Sequence, residues 1–218
     1  AIGIVAEEVY SGSAIVNSGS IKVLAQAAGN NESAWASGIS VSSSVYGGSV
    51  VNEDTIKADA TALADSAYAT GIYAYGLYSG GSISNTGTID VDSKSISDGI
   101  YGGMARAIGI HVYDDSSDYQ VTNAGLIDAN ASGTSAYAAG IRQYSSAYGA
   151  NTSIENSGTI NATAVGTTDA FAGGMVFSST VNGGAQAINS GTITAVASVT
   201  GLGGKGGPIA AGMISEYP

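Results

Sequence analysis

The chain has 218 residues, among them 33 Gly, 13 Tyr, 2 Pro and no Cys, and 17 acidic against 6 basic residues give a net charge of −11. An acidic surface excludes the phosphate backbones of DNA and RNA and disfavours anionic membrane surfaces, while the lack of Cys excludes zinc fingers, disulfide scaffolds and thiol catalysis. With 11% charged residues and abundant Ala, Ser and Thr, the composition suits a thin core of Ile, Val and Ala rather than a wide one, and it is not that of a disordered chain. No apolar run reaches the roughly 18 residues of a membrane-spanning helix, and the opening "AIGIVAEEVY" lacks the basic-then-apolar order of an intact signal peptide.

Along the chain two short phrases alternate. The first begins "AIGI" at Ala1 and returns as "AWASGI", "AYATGI", "ARAIGI", "AYAAGI", "AFAGGM" and "IAAGM". Its Gly stands at Gly3, Gly38, Gly71, Gly109, Gly140, Gly174 and Gly212, with Ala two residues before each of the last six. The second phrase carries Asn17, Asn52, Asn85, Asn123, Asn156 and Asn189, at intervals of 35, 33, 38, 33 and 33 residues. Four positions after each Asn stands Ile: Ile21, Ile56, Ile89, Ile127, Ile160 and Ile193. A Gly lies between them in every copy but the second, where Asp54 fills the slot. Two anchors in step define an internal repeat.

The second phrase alternates with period two, so Ile83, Asn85, Gly87, Ile89 and Val91 share one face, which predicts a half-buried strand. Each copy is therefore expected to be one coil of an all-β fold, a parallel β-solenoid of about six coils of 31–38 residues. Residues 1–218 are expected to form a single solenoid domain, a segment of a longer repeat protein. In such a stack the Ile residues form an apolar column, and the Asn amides bond to one another and to turn backbone. The Gly of the Asn phrase is expected to serve a bend or a positive φ. Tyr10, Tyr46, Tyr78 and Tyr148 precede Gly-containing corners and predict a stacked aromatic closing a turn. Length varies mainly between the Asn phrase and the next Gly phrase, from 17 to 24 residues against 14 to 16 on the return, most in "VDSKSISDGIYGGMARA" and "AVASVTGLGGKGGPIA".

The strings "IVNSGSI", "ISNTGTI", "IENSGTI" and "AINSGTI" resemble the repeats of bacterial autotransporter passenger domains and related large secreted adhesins. The resemblance implies a right-handed β-helix, export beyond the outer membrane and a place at the cell surface or outside the cell. It is specific for architecture and silent on activity. No β-barrel pattern follows the repeats.

Candidate chemistry is sparse. Trp35, Tyr68, Arg106, Tyr137 and Phe171 each stand three residues before a Gly of the first phrase. Facing outward, this column would stack on sugar rings or a partner protein; facing inward, it would fill a corner of the core, which is the reading favoured here. Asp90 and Asp128 are expected one coil apart on an outer face, with Asp92 at the inward edge, an arrangement compatible with polysaccharide cleavage. Asp114, Asp115 and Asp118 offer oxygen ligands for Ca²⁺, although the nonapeptide of calcium-bound β-rolls is absent, and no other cofactor is indicated. His111, the single His, reads as a structural residue in a strand. The Ser and Thr column at Ser20, Thr55, Thr88, Thr159 and Thr192 has one rank, broken by Leu126, and does not match an ice-binding lattice. The expected function is a non-enzymatic adhesive solenoid that engages glycans, host or cell surfaces, or copies of itself end to end in filaments. The alternative is a carbohydrate-active enzyme using Asp90, Asp92 and Asp128.

Overall fold

The computed structural model describes residues 1–29, 32–96, 103–114, 116–201 and 207–215. They form a parallel β-solenoid of about six coils. Three stacks of strands make its walls. The first contains Ala14–Asn17, Ser49–Asn52, Ser82–Asn85, Gln120–Asn123, Ser153–Asn156 and Gln186–Asn189, paired in that order. The second runs from Ile21–Ala27 through Thr55–Ala62 and Thr88–Ser95 to the opening halves of Leu126–Gln143 and Thr159–Phe177, then Thr192–Val199. The third comprises Ile2–Ala6, Ala34–Tyr46, Ala67–Tyr78, Met104–Val112, the closing halves of the same two long strands, and Ile209–Ser215.

Equivalent residues sit directly above one another. Ile21, Ile56, Ile89, Ile127, Ile160 and Ile193 are register partners in sequence, and the middle four are fully buried. Each such burial contributes about 1.5–3 kcal/mol. The Asn phrase is not one strand, however. Its Asn ends a strand of the first wall, residues 86 and 87 turn a corner, and its Ile opens the second wall. Burying Asn there would be costly without partners. Each Asn Nδ2 donates to the Oδ1 of the Asn in the next coil, at 2.7 Å in all five steps from Asn17 to Asn189. The same amides reach corner carbonyls, as Asn85 does to Gly87 and to Leu126 of the following coil, each at 3.3 Å.

The glycines of the Asn phrase stand at a bend, as expected, but without the positive φ. Positive φ occurs instead at the Tyr corner, at Gly12, Gly47, Gly80 and Gly149 among others. Gly87, Gly125, Gly158 and Gly191 are required because a Cβ would strike the backbone of the coil beneath, as at Gly125, where Thr86 carbonyl carbon would lie at 2.7 Å. At that Tyr corner the rings of Tyr10, Tyr46 and Tyr78 stack as expected, with centroids 6.2 and 5.2 Å apart. Ser117 then takes the register position between Tyr78 and Tyr148 and interrupts the column.

The Gly of the other phrase locks the second and third walls together. A Cβ on Gly109 would collide with Ile127 Cγ2 and would lie 2.6 Å from the Gly140 carbonyl oxygen; Gly38, Gly71, Gly140 and Gly174 repeat this relation with the next Ile of the column. The Ile methyl group thus occupies the place of a side chain. Because the backbone drops inward there, two successive residues point to the core: Gly71 and Ile72 are both buried, as are Ala69 before them and Ala74 after. Alternation is reset at that point. Thr70 and Tyr73 both face out, three residues apart instead of two.

Gly109→Ala is expected to lower stability by about 1–3 kcal/mol through overpacking against backbone and Ile127. Gly19→Ala, at an end coil where nothing lies within 4 Å, should leave the urea midpoint unchanged. Equal midpoints for both variants would contradict the notch.

Candidate functional site

The inward kink at each Gly makes the outer surface of the third wall concave. Residues on either side of the kink stand as two banks, and the residue just before the Gly lies between them. One bank is the column Trp35, Tyr68, Arg106, Tyr137 and Phe171, aligned by strand register. It faces outward. Trp35 is 61% exposed while its neighbours Ala34 and Ala36 are buried, so the inward reading of this column is wrong. Ala is small enough for the second and third walls to approach closely, which leaves no space inside for rings.

The opposite bank comprises Ser40, Tyr73, His111 and Arg142, with Tyr75, Tyr113 and Tyr144 two residues further along each strand. Sequence reasoning missed it. The banks enclose a cleft of about 440 Å³, with Ser37, Thr70 and Ile108 between them, and its lining contains no acidic residue. Trp35 and Tyr68 stack at 4.1 Å between ring centroids and form a flat apolar platform. Tyr73 and Tyr113 meet the His111 ring edge-on at 5.6 and 6.0 Å.

The cleft closes at the next coil. Arg142 places its guanidinium over the rings of both Tyr137 and Tyr144, at 5.0 and 4.8 Å, and donates to Ser178 Oγ at 3.1 and 3.2 Å. Beneath it Ile108, Ala139 and Val176 form a small buried cluster covered by Tyr137, Phe171 and Ile214. Tyr137 and Phe171 therefore cap the filled part of the trough, while Trp35, Tyr68 and Arg106 line the open part.

His111 is 7% exposed, and its Nε2 finds no hydrogen-bond partner among the described residues. Burial, with a smaller contribution from the Arg106 charge, lowers its pKa to about 3, so the imidazole is neutral at ordinary pH. Arg106 Nε is likewise buried and without a partner, and its guanidinium lies 5.1 Å from the Tyr137 ring centroid.

The acidic candidates occupy the second wall. Asp90 and Asp128 are register partners there, as expected, and Asp92 pairs in register with Asn130. Asp92 faces outward, not toward the core, because it shares the parity of Asp90 in the strand Thr88–Ser95. Lys57 Nζ binds Asp90 at 2.7 Å, Asp92 at 3.3 Å and Asp59 at 3.5 Å. Asn130 Nδ2 donates to Asp92 at 3.1 Å and to Asp128 at 3.2 Å. The hydrogen bond to Asp90 raises the Lys57 pKa, and partial desolvation followed by the charges of Asp90 and Asp92 raises that of Asp128. The cluster forms a charge network on a wall of its own, away from the aromatic cleft.

Of the Ca²⁺ candidates, Asp115 lies outside the described residues. The Asp114 charge raises the Tyr75 pKa, and Asp118, at φ 50°, accepts from Asn151 at 3.4 Å. Among the described residues no three His, Asp or Glu side chains gather as a metal site. The middle parts of the two longest variable segments, residues 97–102 and 202–206, also fall outside the described residues.

Fold and site together define a parallel β-solenoid repeat protein with one concave aromatic wall. No family model, no curated protein and no solved structure matches the chain.

The depressed His111 pKa has a consequence for stability. Between about pH 3 and 6.5 the unfolded chain binds a proton that the folded chain refuses, so this contribution is complete above pH 6.5 and is lost as pH falls. On going from neutral pH to about pH 4.5, the wild type should lose on the order of 2 kcal/mol more than His111→Gln in urea unfolding. Parallel losses in the two proteins would refute the assignment.

Proposed function

We propose that the protein is a non-enzymatic, adhesive β-solenoid displayed outside a bacterial cell, and that the cleft on its third wall is the contact surface for glycans. One observation carries this reading: the aromatic column turns its rings to solvent beside a cleft large enough for a small ligand. Exposed rings supply flat apolar faces for sugar C–H groups and a polar rim for hydroxyls. The resemblance of the Asn phrases to those of secreted adhesins agrees with an extracellular place.

The rival reading is a polysaccharide-cleaving enzyme using Asp90, Asp92 and Asp128. Its support is the clustering of those acids; against it, Lys57 and Asn130 already engage all three. End-to-end association belongs to the adhesive reading.

Trp35 is the single Trp, so its fluorescence reports on the cleft directly. Titration with neutral and acidic oligosaccharides is expected to give saturable changes, and Tyr68→Ala should weaken binding at least severalfold by removing half of the platform. The absence of any saturable response across the panel would overturn the reading. Release of reducing ends from a polysaccharide, lost in Asp90→Asn with Asp128→Asn while the circular dichroism is preserved, would establish the enzyme instead. Sedimentation velocity over a range of concentrations reads self-association independently.

A further inference from the structure

We propose that the cleft selects a carboxylate-bearing sugar, a uronic or sialic acid residue within a short oligosaccharide, with Arg106 as the carboxylate anchor. The proposal rests on the reading of the cleft as a glycan site and names its ligand class.

Charge distribution is the first argument. The chain carries −11 overall, yet both of its arginines stand on the third wall and the cleft lining has no carboxylate. Among the described residues the salt bridges all belong to Lys57, so no acid neutralises Arg106. A guanidinium held against an aromatic ring, with no ion-pair partner among the described residues, is a ready site for an anion, and its planar fork matches a carboxylate with two parallel hydrogen bonds.

The second argument is the orphaned polar atoms. Arg106 Nε and His111 Nε2 lie on opposite banks of the same cleft, both buried and both without partners. Such atoms are costly to leave unsatisfied, and because both are shielded from solvent, a ligand in the cleft engages Arg106 through the outer nitrogens of its guanidinium. A neutral imidazole can exchange a hydrogen bond with a sugar hydroxyl, while the arginine requires an acceptor.

Shape is the third. From Trp35 through Tyr68 to Arg106 the open cleft crosses three strands, and two spacings of about 4.8 Å give on the order of 10 Å. That length exceeds one ring and suits a short oligosaccharide lying along the solenoid axis. Trp35 and Tyr68 supply the stacking platform at one end, and Arg106 meets the same ligand one coil further on. A folded protein partner would need a contact of about 800 Å² on each side, far broader than this trough.

The test pairs each acidic probe with its neutral counterpart: trigalacturonate with galactotriose, and sialyllactose with lactose, all followed by Trp35 fluorescence. At least one acidic member should bind about tenfold more tightly than its neutral partner, the effect of one charge-assisted hydrogen-bond pair. Arg106→Gln should abolish that preference and leave neutral binding within about twofold. Arg106→Tyr, which extends the aromatic column through its gap, provides a second variant compatible with the fold. Equal affinities for acidic and neutral probes, or a preference that survives both substitutions, would overturn the proposal while leaving the glycan reading intact. Silence with every probe, acidic and neutral, would remove both. Binding of a protein instead, with no response to any saccharide, would do the same.

Discussion

Everything distinctive about this molecule depends on a methyl group occupying the place of a side chain. At each coil the Cγ2 of an Ile in the second wall fills the space where a Cβ would stand on the Gly of the third wall. The contact is short enough to draw the third wall onto the second, which accounts for the Ala residues flanking the Gly: nothing larger fits between the walls. The Asn stack performs the complementary task at the corner between the first and second walls, where a chain of amide hydrogen bonds prevents neighbouring coils from slipping in register. A slip of one residue would turn the Ile column outward and every Asn away from its partner. Packing and hydrogen bonding therefore enforce the same register from two corners.

The same notch shapes the outside. Drawing the backbone inward at Gly resets the alternation of side chains, so two outward columns end up facing each other across a trough instead of lying side by side on a flat sheet. A flat parallel wall offers nothing to enclose a ligand. In this chain concavity follows from core packing, and needs no loop or inserted domain. Whether the trough is open depends on what fills it. In the later coils Val176, Ile214 and the span of Arg142 do so, and in the earlier ones Ser37, Ser40 and Thr70 are too small to.

Much of the fold was legible because repetition amplifies a weak signal. One Asn-x-Gly-x-Ile phrase means little, but six Asn phrases, five of them with the Gly, in step with seven Gly phrases leave few alternatives to a stacked coil. Parity within the phrase also survived, even though the phrase turns out to bend around a corner. The cleft was not legible for a related reason. Period-two reasoning fails at Gly71 and Ile72, which both point inward, so nothing counted across that point could be assigned a face. Asp92 shows the smaller form of the same error, its side chain belonging to the exposed row of an uninterrupted strand. A usable signal was nonetheless present. Aligning the copies on Gly and reading two and four residues onward yields Tyr73, His111 and Arg142, then Tyr75, Tyr113 and Tyr144, a polar and aromatic composition that stands out against a chain of Ala, Ser and Gly.

A perfect repeat makes a poor recognition site, because each rung presents what its neighbours present and a ligand could bind in any register. Selectivity requires broken symmetry. On the second wall the breaks meet one another: Lys57 pairs with Asp59, Asp90 and Asp92, and Asn130 bonds Asp92 and Asp128. On the third wall they do not. Arg106 interrupts a column of rings, His111 stands on the opposite bank in place of a tyrosine, and each keeps a buried nitrogen without a hydrogen-bond partner among the described residues. A fold that satisfies five successive Asn amides to the same 2.7 Å shows how readily stacking resolves buried polarity when the polarity is structural. Where the repeat is broken, as at Arg106 and His111, no identical side chain stands in the coil above or below to continue such a chain of bonds.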